Sequence, residues 1–256
     1  MAFSALRPFS RLRLSEYGWG RRIALIAAAL VGSAAVGYAA NLASRSALWE
    51  VVRACSLDKR MTGSPLPCLE VSGAGDAGYV VLRPPIGAPD TILAPTRRVV
   101  GIEDPFLQTP QAPNYFALAW DARRWLSPEA PAGRAALAVN SRLARSQDQL
   151  HVHIGCLSPE FAGRLGNRAL GPATRTWFRA PDMARGLELW TYRSGTKDWR
   201  AVSPFALLKP LVGDAAGMKR TTLAAALIGG ELVLTALRSR PGGWYASAED
   251  VIEGKC

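Results

Sequence analysis

The chain has almost no histidine: two in 256 residues, His151 and His153. Cysteine is also scarce, with four residues and no Cys-x-x-Cys pair. A zinc site normally takes at least three protein ligands, so neither count nor spacing gives a zinc signature. No metal and no cofactor is expected. Acidic residues are few as well, 20 against 31 Lys and Arg, which leaves a formal charge of +11. That excess is spread thinly. No dense basic run or aromatic–basic interleaving stands out, so no nucleic-acid partner is expected. A basic body does suit anionic phosphates or an anionic lipid surface. There is no internal repeat and no low-complexity linker. With 24 Gly and 18 Pro, a plain helical bundle is disfavoured.

One long uncharged run exists. Residues 23–40 (IALIAAALVGSAAVGYAA) hold 18 residues without a charge, the lower limit for a membrane-spanning helix. Arg7, Arg11, Arg13, Arg21 and Arg22 precede it, opposed only by Glu16. The positive-inside tendency places that end in the cytoplasm. The expectation is a basic cytoplasmic lead at 1–22 and a signal-anchor at 23–40. The remainder would lie outside a bacterial inner membrane, in the periplasm. A cleaved signal peptide is the alternative, with small residues at Ser33-Ala34-Ala35 and Ala39-Ala40.

Cys55, Cys68, Cys156 and Cys256 all follow that run, and an even number on the exported side suits two disulfides. Three pairings are possible. Cys55–Cys68 closes a short Pro/Gly loop and is the local choice, which leaves Cys156 to fasten Cys256. Buried free thiols are the alternative for Cys156.

Periodicity sketches the rest. Residues 45–57 have helical spacing, and 58–76 read as a Gly/Pro/Ser loop. Tyr79–Leu82 and Thr91–Ala94 are strand candidates around a PPIGAPD turn. Residues 96–113 read as a long loop. Tyr115–Leu126 reads as an amphipathic helix, with Asn114 as a helix cap rather than a catalytic group. Ala135–Asn140 and Leu150–Leu157 read as strands on either side of a polar turn, Ser141–Gln149. Pro159–Leu170 reads as a helix with proline at its first position. Leu187–Tyr192 is a weaker strand, and Phe205–Leu211 an apolar run of uncertain type. Thr222–Ile228 and Glu231–Leu237 meet at Gly229-Gly230, either a hairpin or one Ala-rich helix broken by the glycines. The sum is α+β, an antiparallel sheet with packed helices.

The candidate chemistry lies on the second of those central strands. In a strand, residues i and i+2 share a face, so Gln149, His151 and His153 form one row, expected on an exposed face. Val152 and Ile154 face a core. A neutral imidazole can attack phosphorus, and a second one can donate to a phosphate or leaving-group oxygen. The alternatives are two satisfied polar side chains, or a metal pair completed from elsewhere. Arg142 and Arg145 flank the turn and could meet phosphates. Ser146 could donate to the phosphate or leaving group. For all three, solvated turn chemistry is the alternative.

The stretch LAVNSRLARSQDQLHVHIGCL (Leu137–Leu157) resembles the signature of the histidine triad superfamily, and within it the CDP-diacylglycerol pyrophosphatase family. AGYVVL at Ala77–Leu82, LAPTRRVVGIEDP at Leu93–Pro105, PNYFALAW at Pro113–Trp120, SPF at Ser203–Phe205 and the cysteines extend the resemblance over about residues 50–256. It implies a histidine triad-like catalytic domain spanning 45–256. It implies a hydrolase of phospholipid metabolism that cleaves CDP-diacylglycerol to CMP and phosphatidate through a cytidylyl-histidine. His151, the middle position of the His-x-His-x-His pattern, would be the nucleophile. His153 would contact the phosphate, and Asn140 matches an asparagine beside the phosphate site. Gln149 replaces the first histidine and would have to orient His151; glutamine cannot carry a proton at neutral pH. The partners implied are CDP-diacylglycerol at the membrane surface and the bilayer itself, with homo-oligomerisation left open. Two other readings stay open: a superfamily hydrolase or transferase acting on another nucleotide, and a catalytically weak nucleotide- or headgroup-binding protein.

Overall fold

The computed structural model describes residues 44–84, 91–126, 133–166, 170–181 and 186–253, with six positions between Trp19 and Ala27. The chain divides into two units, Met1–Ser44 and Arg45–Cys256. Among the described residues no helix is long and apolar enough to cross a membrane. Most of the expected span 23–40 lies outside them.

Among the described residues of the second unit, ten strands form one antiparallel sheet. They are β1 (Glu70–Ser72), β2 (Tyr79–Leu82), β3 (Thr91–Pro95), β4 (Ala135–Val139) and β5 (Val152–Leu157), followed by β6 (Trp177–Arg179), β7 (Glu188–Arg193), β8 (Thr221–Ile228), β9 (Glu231–Arg238) and β10 (Ile252–Glu253). The spatial order is β1-β2-β3-β5-β4-β8-β9-β7-β6. β5 is central. It pairs with β4 along one side, and along the other with β3 through Val152–Ile154 and with β10 at Cys156 and Leu157. The sheet is about twice as wide as five expected core strands, because β6 and β1 are three residues long and carry no legible alternation. The 84–90 turn lies almost wholly outside the described residues, yet β2 and β3 pair antiparallel on either side of it.

Helices α1 (Ala47–Thr62), α2 (Tyr115–Ala122), α3 (Pro159–Leu165), α4 (Pro204–Val212) and α5 (Ala215–Lys219) complete the unit. α1 runs past the expected residue 57 because Lys59, Arg60 and Met61 are good helix formers without an apolar stripe. α2 ends at Ala122 and continues as a single 3-10 turn, Arg123–Trp125. α3 is regular only to Leu165. The uncertain run near Phe205 is helix α4, with Pro204 in its first turn. β8 and β9 settle the Gly229-Gly230 alternative as a hairpin, since both glycines have positive φ, +61° and +85°, the geometry of a two-residue turn.

The two sheet faces differ. On one, Leu93, Leu137, Val152, Ile154 and Leu223 pack against Tyr115, Phe116 and Ala119 of α2 and Phe205 and Leu208 of α4. The other face is split. Leu48, Val52 and Cys55 of α1 cover Val80, Ile92 and Ala94, while Phe161 and Leu165 of α3 and the 246–252 segment cover Ala136, Ala138, Ala224 and Ala226. Cys55 and Cys68 are disulfide-bonded, Cα–Cα 5.8 Å, as expected from their spacing. Closing that short loop stabilises the fold by about 3 kcal/mol. The expected partner of Cys156, Cys256, lies outside the described residues.

Candidate active site

His153 sits at the seam between those two half-cores. In register it lies between Ile92 on β3 and Ala138 on β4. His151 immediately precedes β5, and the two rings lie 4.9 Å apart, edge to face. They do share one sheet face. They are not on an exposed surface, however: His151 is 8% and His153 6% exposed. The expectation of an open face fails because α1 and the 246–252 segment rise on either side of the seam.

Backbone and amide contacts hold the rings. His151 Nδ1 lies 2.8 Å from the backbone carbonyl of Gln149. A carbonyl oxygen only accepts, so Nδ1 carries the proton and the lone pair of the neutral ring is on Nε2. Asn140 Oδ1 accepts from the Ala248 N–H at 2.6 Å, which makes the other amide atom the nitrogen. That Nδ2 lies 3.4 Å from His153 Nε2. Asn140 therefore ties His153 to the segment beyond β9.

Gln149 supports His151, but not through its side chain. The side chain is fully buried and turned toward the 95–99 segment. Nε2 donates to the Pro95 carbonyl at 2.9 Å and to the Arg97 carbonyl at 2.8 Å, and Oε1 accepts from the Val99 N–H at 3.3 Å. The glutamine is a clamp on its neighbour segment, and its main chain does the orienting.

The 141–148 turn is held just as firmly. The Ser141 N–H donates to Thr222 Oγ1, whose hydroxyl donates to Ala246 O. Gln147 Oε1 accepts from the Leu48 N–H at 2.8 Å, capping α1 where Ser46 makes no side-chain cap. Arg45 forks onto Asp148 with two bonds of 2.7 Å. Arg145 is almost wholly buried, with two 2.7 Å bonds to Glu103, one to the Val100 carbonyl and longer ones to Asp148. Its guanidinium packs against Gly101 (φ +91°), where a Cβ would come within 2.5 Å of it. Arg145 thus holds the turn, and its donors are spent inside the protein. Arg142 is more open and lies 3.8 Å from Asp148, while Ser146 is exposed on the turn. Asn114 is a cap, accepting from Ala117 N and donating to the Trp199 and Val202 carbonyls.

Arg45 holds the Asp148 carboxyl down at about 2, with Arg142 and Arg145 helping against the opposing effect of burial. A lowered folded-state value means stability present above the ordinary value near 4 and lost as pH falls toward 2. Arg45 is 40% exposed, and solvent screening leaves about 1 kcal/mol for the pair. In urea titrations, wild type is expected to lose about that much more stability than Asp148→Asn between pH 4 and pH 2. Parallel acid limbs would contradict the assignment.

One arginine near the site differs from the others. Arg97 is engaged, 2.8 Å from Asp76 and stacked on Phe106. Arg98 Nη1 is buried with no hydrogen-bond partner among the described residues. Its guanidinium carbon stands 5.5 Å from the Trp49 ring centre. Such a contact gives about 1 kcal/mol, whereas an unsatisfied buried donor costs about 1–3 kcal/mol, and more when charged. Sequence reasoning passed over Arg98 because nothing distinguishes it from Arg97 in the string TRRVV.

The whole of residues 43–256 matches the model of one protein family, described as CDP-diacylglycerol pyrophosphatase. The chain belongs to that family. It is a hydrolase of phospholipid metabolism, and the resemblance to the CDP-diacylglycerol pyrophosphatase family read from the histidine segment and its flanks holds.

Proposed function

We propose that this protein hydrolyses CDP-diacylglycerol to CMP and phosphatidate through a cytidylyl-histidine on His151, on a histidine triad-like domain. The observation that carries this reading is the Nδ1 contact to the Gln149 carbonyl, which leaves Nε2 as the nucleophilic nitrogen of a held ring. Nε2 attacks the nucleotide phosphorus, and the bond from that phosphorus to the bridging oxygen breaks. Phosphatidate departs with the electron pair. Water then attacks the same phosphorus, the P–N bond breaks, and CMP leaves as the water proton is given up. His153, positioned by Asn140, stabilises charge on the phosphate oxygens. Arg142 and Ser146 remain available to substrate at the turn surface. The weak-binding alternative loses its main support, because the part of Gln149 that positions His151 is a backbone carbonyl that any residue supplies.

The 23–40 run is read as the anchor that keeps the domain beside its lipid substrate on the periplasmic face of a bacterial inner membrane. The Cys55–Cys68 disulfide supports an oxidising compartment. A Cys156–Cys256 bridge fits the same reading, since Glu253, three positions before Cys256 in sequence, pairs with Cys156. The test of function is incubation of the detergent-solubilised full chain with CDP-diacylglycerol. Release of CMP and phosphatidate in equal amounts is expected; no CMP, or CDP in its place, would defeat the proposal.

A further inference from the structure

Arg98 lies on the side of the sheet that carries the histidines. Residues 97–99 run alongside 149–150, since the Val99 carbonyl accepts from Leu150 N and the Val99 N–H donates to Gln149 Oε1. Val99 and Leu150 both enter the α2-side core, together with Val152 and Ile154. Arg97 stacks on Phe106, which packs against that same core. Arg98 does not join them: its guanidinium lies over Trp49 instead. Its neighbour Trp49 confirms the side, because Trp49 packs on the core that contains Ile92, the register partner of His153.

A groove of about 940 Å³ begins at Trp49 and runs between α1 and β1, lined by Ala54, Leu57, Val71 and Thr96. Arg53, Lys59 and Arg60 border it, together with one acid, Glu50, which pairs with Arg53. On the other flank of the histidines, Asn140 and the 246–248 segment close the site. The groove reaches Arg98 through Trp49 and is net cationic and partly apolar, while the histidines have a polar amide side at Asn140. A lipid substrate fits this polarity in one direction, with its chains and their phosphate toward α1.

We propose that Arg98 binds the lipid-side phosphate of the substrate and stabilises its charge as it departs, with the groove behind Trp49 receiving the acyl chains. This rests on the reading of the reaction given above. Arg98 Nη1 is buried without an acceptor, but the residue as a whole is only part-buried; turning the guanidinium toward a phosphate oxygen satisfies that donor, so its interaction energy appears with the ligand.

The test uses the full chain in detergent, with Arg98→Met, which keeps the stem against Trp49 and removes the charge. Dioctanoyl phosphatidate and CMP are the probes, and equilibrium binding is the primary readout. Phosphatidate affinity is expected to fall at least tenfold, CMP affinity to stay within twofold, and kcat/KM for CDP-diacylglycerol to fall about 100-fold. The melting temperature is expected to hold or rise, because the lost group satisfied no partner; removal of a structural arginine lowers it. Equal weakening of both probes, unchanged phosphatidate binding, or a lowered melting temperature would overturn the assignment. His151→Ala separates the two proposals: it should keep phosphatidate binding while losing turnover. Persistent turnover in His151→Ala removes the reaction scheme but leaves the phosphate site standing.

Discussion

Replacing His151 by alanine is expected to lower turnover of CDP-diacylglycerol by about 10⁴-fold or more, the scale on which loss of a covalent nucleophile acts. His153→Ala should be milder, on the order of 10²- to 10³-fold, because an imidazole that stabilises charge is partly replaceable by water and by Asn140. The two variants also differ in kind. With substrate labelled at the nucleotide phosphorus and quenched in alkali, wild type and His153→Ala should carry label on the protein, and His151→Ala none. Reaction in oxygen-18 water should place the label in CMP and leave phosphatidate unlabelled, since water attacks the phosphorus held on His151. Label in phosphatidate would refute attack at the nucleotide phosphorus. Equal residual activity of the two variants would show that neither ring is the nucleophile. His151 is a fair target, because it precedes β5 and is held through a backbone carbonyl, so its removal should leave the sheet standing.

How far the sequence carried this can be judged residue by residue. The β5 row was legible because alternation is a local property: Val152 and Ile154 face one core, and His151 and His153 the other face. The β8–β9 hairpin was legible once two glycines allowed two positive φ values. What could not be read is what packs over the row. α1, which covers β2 and β3, lies more than 80 residues before the histidines in the chain, so their burial has no local signal. The same holds for Arg145 and Arg98. Arg145 read as an arginine near a polar site and Arg98 as one of two in TRRVV, and only the partners Glu103, Asp148 and Trp49 set them apart, Arg145 spent in the scaffold and Arg98 without an acceptor for Nη1. Gln149 is the clearest case. Its place in the motif suggested a side-chain role toward His151, but the side chain is engaged by a segment some 50 residues earlier.

That engagement decides the outcome of changing Gln149. The side chain supplies two donors to the Pro95 and Arg97 carbonyls and one acceptor to the Val99 N–H, all in the core. Glutamate has nearly the same shape but no donors when ionised. It would set a carboxylate oxygen 2.8–2.9 Å from two carbonyl oxygens, leaving a buried charge without a partner. Gln149→Glu is expected to cost about 3–5 kcal/mol, which lowers the melting temperature on the order of 10 °C. The loss should shrink as pH falls, because burial against carbonyls raises the carboxyl's folded-state value and favours its protonated form. Gln149→His restores the family pattern, which from sequence alone suggests equal or higher activity. An imidazole offers one donor and one acceptor when neutral, or two donors when charged. It therefore gives up at least one of the three bonds. The expected result is a loss of about 1–3 kcal/mol in stability, with turnover per folded molecule near wild type at low temperature, because residue 149 still presents its carbonyl to His151 Nδ1. Thermal melts and assays at 10 °C would check both variants. A Gln149→Glu protein as stable as wild type at neutral pH would mean that the clamp on 95–99 contributes nothing. A folded Gln149→His protein without activity would mean that the side chain, and not the backbone carbonyl, sets the nucleophile.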